Sequence, residues 1–145
     1  MPQPYARAWA ETVAAYDGFV FVTPEYNRSF PGVLKNALDR GYAEWNIKAV
    51  AIVSYGVDGH VRAAQALRPV FGALQLADVG ADVTLNLRTD FRDFGTAFIP
   101  GEHQTAALDA LLGQLSVPVC GGSAADRSPG LCPGWAVGCH LCCTP

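Results

Sequence analysis

The chain has 145 residues, a length that suits one domain with a single core and leaves no room for two full ones. Half of the residues are apolar and the formal net charge is −3, which fits a soluble globular protein and argues against nucleic acid or an anionic membrane as a partner. No apolar run approaches the ~20 residues of a membrane-spanning helix, and no basic stretch leads into an apolar leader, so the expectation is a cytoplasmic protein without membrane attachment.

Residues 5 to 16 read as a helix, with Trp9, Val13 and Tyr16 at i, i+4 and i+7 on one face. Asp17-Gly18 ends it, Gly18 being suited to the left-handed residue that follows a helix. Phe19 to Val22 is a short apolar run rich in β-branched and aromatic residues, the pattern of a strand buried on both faces of a parallel sheet. It stops at Thr23-Pro24, because Pro24 has no N–H to give a sheet ladder. After a mostly polar stretch, Pro31-Gly32 opens a second helix through Val33, Leu34, Ala37 and Leu38, ending near Asp39-Arg40 before Gly41. Trp45 lies in the connection beyond, where it either covers the core or faces a partner subunit.

Lys48 to Tyr55 is a second near-continuous apolar run, hence a second buried strand, and it enters the loop Gly56-Val57-Asp58-Gly59-His60. Ala63, Ala64, Leu67, Val70, Phe71 and Leu74 give the next helix its apolar stripe. A kink or restart is expected at Pro69, because an interior proline loses a hydrogen bond and clashes with the preceding turn at a cost of about 3 kcal/mol. Val79 to Leu87 alternates at Val83, Leu85 and Leu87, so it is a third strand, at an edge. Thr89 to Gly101 reads as a loop carrying Phe91, Phe94 and Phe98, and Glu102 to Leu115 as the last helix. A helix followed by three strand-helix units makes an α/β fold with a parallel sheet and right-handed crossovers.

Composition divides the chain into a domain, 1–116, and a Gly/Pro/Cys-rich tail, 117–145, which is expected to be disordered. Residues 1–119 hold no cysteine, so the domain is stabilised by packing; Cys120, Cys132, Cys139, Cys142 and Cys143 all lie in the tail. Cys139-x-x-Cys142 with Cys120, Cys132 and His140 has the count for zinc but an irregular spacing, so no metal site is expected.

The loop after the first strand stands beside a helix N-terminus, the place where open α/β sheets collect ligands. Its sequence, Thr23-Pro24-Glu25-Tyr26-Asn27, followed by Pro31-Gly32-Val33-Leu34-Lys35-Asn36-Ala37-Leu38-Asp39, resembles the flavin-contacting loop and following helix of the NAD(P)H-dependent FMN reductases. These are flavodoxin-like proteins that include quinone, azo and chromate reductases, and the likeness spans roughly residues 5 to 116. It implies a flavodoxin-like three-layer α/β/α fold, its parallel sheet here truncated to about three strands. It also implies bound FMN, reduction by NAD(P)H, and transfer to a small acceptor such as a quinone, an azo compound or free flavin. Members commonly dimerise near the flavin, so the 31–39 helix and Trp45 are the expected contact of a homo-oligomer. The family opens with two further strands and a helix, and its first strand leads into a Gly-Ser-x-Arg-type loop that holds the FMN phosphate. No such cluster precedes Tyr5, so the chain is similar to the family's later two thirds.

The residues that the resemblance assigns to the cofactor are Pro24, Glu25, Tyr26 and Asn27 in the first loop and Ser54, Tyr55, Gly56 and Gly59 in the second. Backbone N–H groups of Glu25, Tyr26 and Asn27 are the expected donors to the ring edge. Tyr26 would pack near the ring, and Asn27 would hydrogen-bond it or the ribityl chain. On the residues alone, the same loop is a turn shaped by Asn and Pro. In the family, glycines of the second loop let backbone approach the isoalloxazine; Val57 and His60 stand where relatives often have glycine. His60 reads as a solvent-facing loop tip, and Arg62 and Arg68 as the solvated face of a helix rather than phosphate ligands. No catalytic side chain is implied, since hydride transfer between nicotinamide and flavin needs stacking and distance control.

A second class of function stays open, a non-catalytic fragment that associates through an exposed sheet edge or helix. Without its phosphate cradle FMN would lose charge-assisted hydrogen bonds worth ~1.5–3 kcal/mol each. The strand at Phe19 would also present an open apolar edge.

Overall fold

A computed structural model describes residues 4–57, 61–93 and 96–116, and the backbone of 136–137. The two continuous apolar runs form its central strands, β1 (Gly18–Pro24) and β2 (Ala49–Gly56), paired in parallel from Gly18↔Ala49 to Pro24↔Tyr55. β3 (Ala77–Asn86) lies parallel on the far side of β2 and is an edge strand, as its alternation predicts. Gly18, expected as a left-handed helix terminator, instead opens β1, where an added Cβ would meet the Ala49 carbonyl oxygen at 3.3 Å.

Both sheet faces are covered, which is why the inner strands need apolar residues at consecutive positions. On one face α1 (Pro4–Ala14), α2 (Gly32–Leu38) and α3 (Val61–Ala73) pack over Phe21, Val50 and Ile52 through Val13, Leu34, Leu38, Leu67 and Phe71. On the other, α4 (Glu102–Leu115) lays Leu111 and Leu115 against Val20, Ala51 and Val83. The layers are α/β/α, a flavodoxin-like arrangement.

Trp45 is core, not surface. It is 1% exposed, its Nε1 donates to the Leu38 carbonyl at 3.1 Å, and its ring meets those of Trp9, Phe19 and Phe21. Of the two places open to it Trp45 takes the core, so it is not at a partner contact: with Phe19 and Phe21 on this face, a large ring closes the gap between α1 and the sheet. Of the two alternatives at Pro69 the restart is corrected, because α3 runs unbroken through it. Leu67 and Phe71 on either side are both fully buried, so packing on the sheet carries the helix across the missing hydrogen bond.

The 89–101 segment is more ordered than a loop. β4 (Phe91–Arg92) and β5 (Ala97–Phe98) pair antiparallel, with the Phe91 and Phe98 rings 5.2 Å apart. Two-residue strands show no alternation, so only the cross-strand ring pair carries the signal. Phe94 lies outside the described residues.

The tail adds β6 (Ala136–Val137), which pairs in parallel with Phe19 and Val20 and extends the sheet order to β3-β2-β1-β6 among the described residues. The rest of 117–145, with all five cysteines and His140, lies outside them, so neither the expected disorder nor the absence of zinc is addressed.

Candidate functional site

The carboxyl ends of β1 and β2 lie side by side, which brings the two predicted loops together. The ladder continues one step past the strands: the Glu25 N–H donates to the Tyr55 carbonyl at 2.7 Å. Beyond it, Tyr26-Asn27-Arg28-Ser29 closes on itself, Tyr26 and Ser29 exchanging both backbone hydrogen bonds at 2.9 and 3.0 Å. The two central residues, Asn27 and Arg28, have φ of 50° and 68°. Positive φ at both centres of a two-residue connection is the type I′ geometry, in which Asn is favoured and Arg is not. The turn lifts the Tyr26 ring into solvent at 57% exposure.

This arrangement revises which atoms can reach a ligand. The Glu25 and Tyr26 N–H groups, expected as ring donors, are spent inside the protein. The Asn27 N–H has no partner among the described residues, and its side chain is exposed. Pro24 and Ser54 have fully buried side chains, so any contact they make is through backbone. Tyr55 is half-buried, Gly56 is buried at the floor of the mouth, and Gly59 lies outside the described residues, as do Asp58 and His60.

Glu25 has a different task from the one expected. Its side chain is 8% exposed; Oε1 accepts from the Arg62 guanidinium at 2.7 Å and Oε2 from the Arg62 backbone N–H at 3.0 Å. The carboxylate sits at the N-terminus of α3, where the orphan amides and the helix dipole favour an anion. Burial alone would raise its pKa, but the hydrogen bonds from Arg62 and the Ala63 amide outweigh it and hold the carboxyl below its ordinary value. Arg62 is therefore ion-paired, not simply a solvated helix position. Arg68 is paired too, reaching Asp78 at 2.7 Å and Asp82 at 2.8 Å across an irregularity in β3. Sequence offered no signal for the Glu25–Arg62 pair, because nothing periodic links residues 37 apart.

A third loop joins the mouth: the Leu87 N–H donates to the Gly56 carbonyl at 3.0 Å. Asp90, 8% exposed, fastens this loop by accepting from the Asn86 N–H at 2.7 Å and the Thr89 hydroxyl at 2.9 Å. One apolar cavity among the described residues lies elsewhere. About 180 Å³ in volume and open on one side, it is lined by Val53, Val83, Leu85, Phe98, Pro100 and Leu108 beside α4, and neither the 24–30 nor the 54–57 segment beyond Val53 lines it.

The donor set at the mouth suits the ring of a flavin: an exposed aromatic face at Tyr26, an uncommitted N–H and a carboxamide at Asn27, and Gly56 beside them. Arg62 is committed to Glu25 and not directed at a phosphate, whereas Arg28 is exposed in the turn. Among the described residues no group of three metal-ligating side chains occurs, and no helix is long and apolar enough to cross a membrane.

An NAD(P)H-dependent FMN reductase of Schizosaccharomyces pombe is 50% identical over 74 residues, 51% of this chain and 37% of that protein. A 2-hydroxy-1,4-benzoquinone reductase of Burkholderia sp. is 46% identical over 78 residues, 49% of this chain and 43% of that protein. This chain therefore spans less than half the length of either relative. An oxidoreductase structure from Corynebacterium diphtheriae superposes with a TM-score of 0.64 at 18% identity, over 78% of this chain and 60% of that one, a likeness of fold. The family model described as NADPH-dependent FMN reductase matches residues 1–90, well over half of the chain and all of the β1 and β2 mouth. The chain belongs to the NADPH-dependent FMN reductase family.

Proposed function

We propose that this chain holds FMN at the joined mouth of β1 and β2 and serves an NAD(P)H-dependent reductase. The observation that supports this most is the Glu25-to-Tyr55 hydrogen bond, which makes one surface of the two loops. Bound FMN supplies the hydride-accepting and hydride-donating centre; the protein binds, orients and shields it. In this reading Tyr26 lies against the ring, the Asn27 N–H and carboxamide reach its polar edge, and Gly56 permits close approach of the backbone, with Gly59 assigned to the cofactor by the resemblance. Pro24, Ser54 and Tyr55 contribute backbone, and Glu25 contributes placement. The electron acceptor is a small molecule, a quinone, an azo compound or free flavin, as the quinone reductase among the relatives suggests. The protein works in the cytoplasm as a homo-oligomer, with the exposed Val33 of α2 at the contact.

Titrating the full chain with FMN tests the reading. Saturable binding, with flavin absorbance bleached by NADPH and restored by a quinone, supports it; a chain that takes up no flavin overturns it.

One observation favours the second reading, a fragment that acts by association. Among the described residues only Phe19 and Val20 of β1 are paired on the outer side, and Val22 is 37% exposed. A colourless protein that self-associates would favour that reading.

A further inference from the structure

We propose that Glu25 is a positioning residue, a latch that fixes the two mouth loops to each other, and that flavin affinity depends on this latch although Glu25 does not touch the ligand. The inference rests on the FMN reading above, and it changes the role of a residue expected to meet the ring directly.

The geometry carries it. Glu25 is the first residue past β1, and it is held twice. Its backbone N–H is bonded to Tyr55, the last residue but one of β2. Its carboxylate is bonded through both oxygens to Arg62, the second residue of α3. Glu25 thus ties the end of β2 to the start of α3, the two described elements on either side of the second loop. The type I′ turn at 26–29 grows directly from the same residue. A side chain 8% exposed, with an Arg62 donor on each oxygen, has little surface left to offer a ligand in the open mouth. It instead sets the distance between the Tyr26 turn and the Gly56 floor. Charge-assisted bonds of this kind are short and directional, so they reduce the ordering that binding would otherwise require.

The test uses the full chain and three variants: Glu25→Gln, Arg62→Ala and the double variant. Glu25→Gln keeps the shape and removes the charge; Arg62→Ala removes the guanidinium while leaving the helix amides to hold the carboxylate. Expected are an FMN Kd about tenfold weaker for Glu25→Gln, a smaller loss for Arg62→Ala, and a double variant no worse than Glu25→Gln alone, as for partners in one interaction. Between neutral and acid pH the wild-type affinity falls as Glu25 protonates, whereas Glu25→Gln lacks that limb. Titration of the FMN phosphate is common to both chains and cancels in the ratio. A wild type that binds FMN beside a Glu25→Gln variant within twofold of it, with the same pH profile, overturns the latch.

Amide hydrogen exchange at Arg62 and Ala63 gives a readout without flavin. Faster exchange in Glu25→Gln supports the latch, and unchanged exchange overturns it. If the wild type binds no FMN, the functional reading fails while exchange still decides the latch. If Glu25→Gln does not fold, Arg62→Ala carries both measurements.

Discussion

Thr23 and Ser54 are register partners one step before the mouth, and both side chains are closed off from solvent. The Thr23 hydroxyl reaches the Pro24 carbonyl at 3.2 Å, whereas Ser54 Oγ has no partner among the described residues. A buried hydroxyl left without a hydrogen bond costs ~1–3 kcal/mol. Ser54→Ala should therefore leave stability unchanged or raise it by up to ~1 kcal/mol in urea unfolding. Because any ligand contact at Ser54 is made by backbone, FMN affinity should be retained. A clear loss of either would mean that the hydroxyl has a partner after all.

How much of this was legible in the sequence follows from the range of the interactions. The β1 and β2 runs, and α4 over Glu102–Leu115, are set by apolar spacing within a few residues, and the chain reads them directly. The loop motif placed Tyr26 and Asn27 at the mouth for the same reason. What stayed open or went unread needed tertiary context. Packing of Leu67 and Phe71 decides that α3 continues through Pro69, and the ring cluster around Phe19 and Phe21 decides that Trp45 turns inward. The Glu25–Arg62 pair joins the end of a strand to the start of a helix it does not lead into, which no local pattern encodes.

The 26–29 turn carries a removable strain. Arg28 sits at φ 68°, where a side chain costs roughly 1–2 kcal/mol and glycine costs nothing sterically. Arg28→Gly creates the preferred Asn-Gly pair for this turn and should raise stability by about 0.5–1 kcal/mol, part of the relief being offset by chain entropy. Asn27→Val, a β-branched residue at φ 50°, should lower it by about 1 kcal/mol or more. Paired thermal melts check both, and equal melting temperatures for the two variants would contradict the turn assignment.

Lys48 closes the end of α1. Its Nζ donates to the carbonyls of Val13 at 2.6 Å and Ala14 at 3.2 Å, and it stands 5.8 Å from the centre of the Phe19 ring. A cation is favoured at a helix C-terminus, where the last carbonyls lack intrahelical donors. Lys48→Met keeps the apolar stem and removes the charge, so stability should fall by about 1–2 kcal/mol. Hydrogen exchange should quicken in the last turn of α1 and not in α4; a uniform change across both would point to a global effect.

Asp90 gives the fold a defined acid limb. Burial pulls its pKa up, but the Asn86 amide, the Thr89 hydroxyl and the Gln104 side chain hold it below its ordinary 3.8. Glu25 is likewise held below its ordinary 4.5. A carboxyl whose folded value lies below its unfolded one stabilises the fold above the unfolded value, and that contribution vanishes as pH falls through the folded value. Asp82 works the other way: burial first, then Asp78, raises it despite Arg68, so acid relieves a penalty there. Asp90→Asn separates the opposing effects, since the amide keeps the shape and cannot ionise. At neutral pH the variant should be less stable by about 1–2 kcal/mol. The gap should narrow as the pH falls below the ordinary carboxyl value and on through the lower folded value of wild-type Asp90. Urea unfolding from neutral pH into that acid limb measures the gap, and a difference that stays constant with pH would show that the Asp90 charge is not what fastens the third loop.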